Sequence, residues 1–146
     1  MAEAQIQAID TTAEAVLFGG QAQGLILACY ENERPLLGLA GLMDWRFQGG
    51  ISRCLRGGAV TGKEGECAYF PTRKNDATFH LFLLGAGYAK SPGERAMPAV
   101  GALKGLQKNL ISLKLGRIAV SRSDFGSATN EYFIRHFKGV PLWIVN

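Results

Sequence analysis

Gly57, Gly62 and Lys63, in the stretch GGAVTGKEGE at residues 57–66, stand at the spacing of a phosphate-binding G-x-x-x-x-G-K loop. In such a loop, backbone N–H groups and a helix N-terminus hold the phosphates, the lysine neutralises them, and a following Ser or Thr meets a metal. Here the next residue is Glu64, whose carboxylate would repel phosphate and offers no hydroxyl. The context is also reversed, because these glycines follow a helical pattern and precede a strand pattern. The stretch is expected to close a helix and turn the chain, not to bind a nucleotide. Gly85-Ala86-Gly87 is better placed, after an apolar run, but Lys90 stands where a dinucleotide fingerprint needs its third glycine. A tight turn explains small residues there. The alternative is a phosphate or carboxylate cradle at Gly85, Ala86 and Gly87 with Lys90 as counter-charge. A third candidate, Ser121-Arg122-Ser123-Asp124-Phe125-Gly126-Ser127, lies between a strand and a helix pattern, where converging N–H groups bind anions. Helix capping by Asp124, Ser127 and Thr129 competes with that reading. The candidate ligand residues are therefore Gly85, Ala86, Gly87, Lys90, Ser121, Ser123, Gly126 and Ser127.

Catalytic constellations are thin. The two histidines, His80 and His136, and the cysteines Cys29, Cys54 and Cys67 show no metal-ligand or redox spacing. No Gly-x-Ser-x-Gly nucleophile elbow occurs. No catalytic residue, metal or cofactor is assigned. An odd number of cysteines without a signal-peptide pattern fits reduced thiols in a cytoplasm. No apolar run reaches the ~18 residues of a membrane helix, so no membrane partner is expected. The net charge of +4 comes from dispersed cations. The densest group is Lys104, Lys108, Lys114, Arg117 and Arg122. Lys104 and Lys108 lie four apart on a helical pattern and read as a solvated face, so nucleic acid is not the expected partner.

The elements that must position these residues alternate. QIQAI (5–9) has the two-residue period of a half-buried strand, and LILACY (25–30) the continuous apolar character of a strand buried on both faces. Asp44 is a candidate N-cap for a helix ending at Gly57-Gly58. Residues 67–71 and 78–85 read as strands. Val100, Leu103, Leu106, Leu110 and Leu113 recur at helical spacing after Pro98, with Gly116 as the stop. A strand at 117–121, a helix at 130–138 closed by Gly139, and a strand at 141–145 complete the chain. Strands separated by helices predict one layered α/β domain with a mixed or parallel sheet and ligands beyond the strands' carboxyl ends.

The stretch LAGLMDWRFQGGISRCLRGGAVTGKEGECAYFPT (39–72) resembles the N-terminal domain of the leucine aminopeptidase family, the M17 peptidases. Gly58, Gly62, Lys63, Gly65 and Glu66 match that family's G-x-x-x-G-K-x-G-E segment. Leu83 to Gly87 is similar to its strand ending in G-L-G, with Ala86 for the leucine. The resemblance implies a three-layer macro-domain-like α/β fold, with a mixed, mostly parallel sheet flanked by helices, over a single domain at 1–146. It implies no peptidase activity from this chain. The family's metals and catalytic residues belong to a C-terminal domain marked by an N-T-D-A-E-G-R segment that is not present. The implied role is a stand-alone, non-catalytic module acting by protein interaction or regulation, with another copy or a separate peptidase as partner. The alternative is a macro-like module for ADP-ribose or another nucleotide phosphate. Ser121 to Gly126 is similar to the S-x-G-x-Y-G loop of macro domains, with Ser123 at the inner glycine and Asp124 adding negative charge. A hydrolase acting on such a ligand would need a poised base, and none is evident. DNA binding, known for some members of the family, is the third reading.

Overall fold

The structure is a computed structural model that describes residues 6–12, 15, 16, 19, 22–74, 77–91, 93–125, 129–137 and 141–146. Its strands are β1 (Ile6–Ala8), β2 (Gly24–Cys29), β3 (Cys67–Lys74), β4 (Ala77–Gly85), β5 (Ile118–Ser121) and β6 (Leu142–Val145). They form one six-stranded sheet in the order β1-β6-β5-β2-β4-β3. Every pairing is parallel except β3 with β4.

The helices whose bounds lie among the described residues are α1 (Gly38–Arg46), α2 (Gly50–Arg56), α3 (Val100–Ser112), α4 (Arg122–Phe125) and α5 (Thr129–His136). Side-chain alternation sorts the core into two slabs. Leu25, Leu27, Leu81 and Leu83 on one sheet face pack with Leu39, Ala40 and Met43 of α1 and Ile51 of α2. Ile26, Phe82, Val120 and Ile144 on the other face pack with Leu103, Leu106 and Leu110 of α3 and Phe125 and Phe133 of α4 and α5. All six residues of β2 are buried, because a central parallel strand is covered on both faces. This is the expected three-layer architecture.

Several boundaries differ from the sequence reading for local reasons. Asp44 lies inside α1 and is not an N-cap. Its carboxylate instead accepts from the Ser52 N–H (2.9 Å) and hydroxyl, tying α1 to α2 across a break at Gln48 and Gly49, both with positive φ. The strand expected to stop at Pro71 continues to Lys74, because β3 is an edge strand, where a proline is tolerated. Gly116 does not terminate α3. Lys114 does, in the left-handed region at φ 54. Its N–H donates to the Ile111 carbonyl (3.1 Å) and the Leu115 N–H to the Leu110 carbonyl (3.0 Å). That is a Schellman closure with lysine where glycine is normally found. The expected stop at Gly139 falls outside the described residues.

Candidate functional site

The parallel strands β2, β4 and β5 end side by side, with Cys29 level with Gly85. Their following segments, 30–37, 86–99 and α4, therefore gather on one crest. Residues 57–66 join them, because antiparallel β3 begins at that end, with Cys67 opposite Leu84. The crest is the place where open α/β sheets receive ligands.

Its centre is a charged network of residues distant in sequence. Asp124 is 2% exposed. Its Oδ2 accepts from the Ala28 N–H at 2.7 Å and its Oδ1 from the Leu39 N–H at 3.4 Å. Burial pushes its carboxyl up to about 6, against the opposing pull of the Ala28 N–H, the Arg95 charge and the Leu39 N–H. Glu33, also buried, takes both arms of the Arg95 guanidinium, at 2.9 and 3.1 Å, and accepts from the Leu37 N–H at 3.0 Å. Burial works against the Arg95 charge, but the Glu33 hydrogen bonds and charge outweigh it and leave its pKa raised. The guanidinium lies 5.0 Å over the Tyr30 ring, and the Tyr30 hydroxyl accepts from the Ala96 N–H. Gly38 makes this convergence possible. At φ +65 it carries no Cβ, and a Cβ there would meet Arg95 Nη2 at 2.8 Å and Asp124 Oδ1 at 3.2 Å. Three crest loops are thus joined through Glu33, Arg95 and Asp124 over the first turn of α1.

Beside the network a cleft of about 320 Å³ is lined by Asn32, Glu33, Arg34, Pro35, Leu37, Ala89, Lys90 and Ser91. Asn32 staples its walls: its Oδ1 accepts from the Ala89 N–H (2.8 Å) and its Nδ2 donates to the Ala89 carbonyl (2.9 Å). Arg34 donates to the Tyr30 and Glu33 carbonyls, both at 2.7 Å, which fixes one positive edge. Exposed Lys90 supplies the other.

The sequence candidates distribute unevenly over this crest. Lys90 lines the cleft. The N–H groups of Gly85, Ala86 and Gly87 donate to the carbonyls of Glu66, Cys29 and Gly62, so none of the three donors points to a ligand. Ser121 and Ser123 share a hydroxyl–hydroxyl contact of 2.8 Å and stand outside the cleft lining. Gly126 and Ser127 lie outside the described residues. Asp124 does not cap the helix that follows it; its buried carboxylate ties β2 at Ala28 to the first turn of α1 at Leu39. The stretch GGAVTGKEGE does wrap an anion, and the anion is its own Glu66. That carboxylate accepts from the Thr61 N–H (3.0 Å), the Gly62 N–H (2.9 Å) and the Thr61 hydroxyl (3.0 Å). Asn32, Glu33, Arg34 and Arg95 were not singled out by sequence reasoning. The polar run Asn32-Glu33-Arg34 soon after a doubly buried strand was an available signal for three of them; nothing local marks Arg95.

Both histidines make ring contacts within the fold. His80 stacks on Tyr69 across β3 and β4, with the Tyr69 hydroxyl 2.5 Å from its Nδ1, and burial lowers its pKa. His136 packs on Tyr132. Among the described residues, no group of His, Cys, Asp or Glu side chains could hold a metal ion. No helix there is long and apolar enough to cross a membrane.

No family model and no curated protein sequence matches the chain. Solved structures do match its shape. The macrodomain of Mycobacterium tuberculosis DarG is 14% identical, with a TM-score of 0.70 over 97% of both chains. Thermosipho africanus DarTG in complex with ADP-ribose is 12% identical, with a TM-score of 0.64 over 99% of this chain and 43% of that one. A tomato leucine aminopeptidase mutant is 18% identical, with a TM-score of 0.62 over 98% of this chain and 32% of that one. The likeness extends to both groups and does not single out the peptidase. Together with the parallel crest and its covering helices, it identifies the chain's fold as macrodomain-like.

Proposed function

We propose that the chain is a ligand-binding module that seats a phosphate-bearing nucleotide of the ADP-ribose class on its crest. The observation that carries this reading is the cleft beyond β2 and β4, edged by Arg34 and Lys90. A phosphate between those two cations gains charge-assisted hydrogen bonds, and Leu37 and Pro35 offer an apolar wall to a ribose or base. The fold shared with a DarTG protein solved with ADP-ribose supports the same class of ligand. No catalytic step is assigned, because Asp124 and Glu33 are both committed to internal hydrogen bonds. The test is calorimetric titration with ADP-ribose, ADP, AMP and inorganic phosphate. ADP-ribose is expected to bind most tightly, and Lys90→Glu is expected to weaken it at least ~10-fold, the equivalent of about 1.4 kcal/mol. No heat with any nucleotide would remove the reading.

A second reading is favoured by a specific observation. Three anion-accepting positions on the crest already hold the chain's own carboxylates: Asp124 on the Ala28 and Leu39 N–H groups, Glu33 on Leu37 and Arg95, Glu66 on Thr61 and Gly62. A crest satisfied internally suits a non-catalytic module that works by protein interaction, as the leucine aminopeptidase resemblance implies. Silence in the nucleotide titrations, together with self-association or peptidase binding in sedimentation, would establish it.

A further inference from the structure

The two ends of the sheet differ in charge. Glu31, Glu33, Glu64, Glu66, Glu94 and Asp124 sit in segments beyond the carboxyl ends of β2, β4 and β5 or beside them, where Arg34, Lys63, Lys90, Arg95 and Arg122 nearly balance them. The opposite end receives the turn from α3 to β5, the end of β3, and the last turn of α5, because each precedes or closes on a strand's first residue. It carries the exposed cations Arg73, Lys114, Arg117 and Arg135. Asp44, in α1's last turn, has its carboxylate spent on Ser52, and Asp76, between β3 and β4 in the sequence, falls outside the described residues. From Arg95 to Ser123 the sequence contains no acidic residue at all.

This end also presents apolar surface that packing does not use. Ile111, Ser112, Leu113 and Lys114 are four consecutive exposed residues at the end of α3, with Ile111 59% and Leu113 41% exposed. They form a projecting turn, aliphatic at its tip and cationic at its flanks. Its conformation adds a second observation. Lys114 and Arg117 both adopt positive φ, 54 and 49, where glycine is unstrained, while neighbouring Gly116 does not. Long cationic side chains thus occupy the two strained positions of the turn. Backbone strain of this kind concentrates where a side chain is needed for function.

We propose that this end of the sheet is a docking surface for an anionic phospholipid bilayer. Exposed Lys114 and Arg117 complement anionic headgroups, and the projecting aliphatic tip beside them suits a penetrable interface, with lysine and arginine at headgroup level. Lys114 and Arg117 supply attraction, Ile111 and Leu113 shallow insertion. Docked in this way, the crest cleft faces away from the bilayer and stays open to ligand. The proposal is independent of what the cleft binds.

The test is co-sedimentation of the chain with vesicles of 70:30 phosphatidylcholine:phosphatidylglycerol and of pure phosphatidylcholine (composition at about this ratio suffices to set a negative surface potential). Binding to the anionic vesicles alone, weakening with salt, is expected. Each cation removed should cost about 5-fold in partitioning, so Lys114→Gln with Arg117→Gln should lose about 25-fold. Ile111→Ser should weaken binding without changing its salt dependence. Lys114→Gly separates function from folding, since it relieves the turn while removing the charge: it should melt no lower than the native chain and bind less. Equal binding to both vesicle types overturns the proposal. So does an equal loss on replacing the crest cation Lys63, which would mean net charge and not this surface. Failure on both vesicle types with retention on immobilised poly-glutamate would replace the lipid by an acidic protein, and also overturns it.

Discussion

Asp124 carries opposite demands in one side chain. Two backbone N–H groups and Arg95 favour its charged form, while near-complete burial disfavours it, and burial wins. A carboxyl raised to about 6 in the folded chain and ordinary in the unfolded chain binds its proton more tightly when folded. Its contribution to stability is therefore greatest below about pH 4, falls as pH rises through about 6, and is constant above. Urea denaturation of the native chain and of Asp124→Asn across pH 4 to 7 checks this. The native chain should show that falling component, and the variant should lack it. The cysteines give a second prediction at this scale. Burial pushes Cys29 and Cys67 each up to about 11, which suppresses the reactive thiolate. Brief iodoacetamide treatment of the folded chain at pH 7.5, read by peptide mass spectrometry, should leave both unmodified, and denaturant should expose them. How such residues read in the sequence depended on whether their role is local. Glu66 could be placed in a turn from its glycines alone. Asp124 looked like a cap because Ser, Thr and Asp between a strand and a helix usually are caps. Its actual partners, Ala28 and Leu39, are far away in sequence and no local pattern points to them.

At the scale of elements, patterns set by periodicity were legible and stops set by tertiary context were not. LILACY announces a doubly buried strand, and the leucine spacing of 103–110 announces α3. The end of α3 was misplaced because Gly116 is the chemically obvious stop, yet the Leu110 and Ile111 carbonyls find their donors two residues earlier. Lysine in the left-handed region costs about 1 kcal/mol relative to glycine. Lys114→Gly should accordingly raise stability by up to about 1 kcal/mol, measurable as a shifted urea midpoint with an unchanged slope. The break between α1 and α2 was hidden for a similar reason: Gln48 in the left-handed region is the less expected of its two residues. The Glu33–Arg95 pair joins two crest segments, and removing one member strands the other charge in a buried place. Arg95→Met should destabilise by about 3 kcal/mol in thermal or urea unfolding, and Glu33→Gln together with Arg95→Met should recover part of that loss.

For the whole molecule, layer architecture followed from the alternation of strands and helices, whereas strand order did not. The mixed sheet was predicted without its sequence of neighbours, because pairing partners are set by crossovers and not by any one strand's composition. The crest was likewise predictable as a place, since parallel strands with covering helices leave their carboxyl ends open. Which loops lend it side chains depended on β3 running backwards, which brings 57–66 to the same end. The cleft's polarity then rests on Arg34, tied down by carbonyls, and Lys90, free of such ties in its exposed position.

The position of β6 has a consequence for how the molecule is made. β6 lies between β1 and β5, and Ile6 pairs with Leu142. A chain emerging from the ribosome exposes β1 long before its neighbour in the sheet, β6. Until β6 emerges, β1 has no ladder to join and β5 presents an open edge, so the layer can close only after β6 has been translated. Nascent intermediates of this protein are thus expected to depend on chaperone shielding at β5, and a slow translation pause before Leu142 would lengthen that exposure.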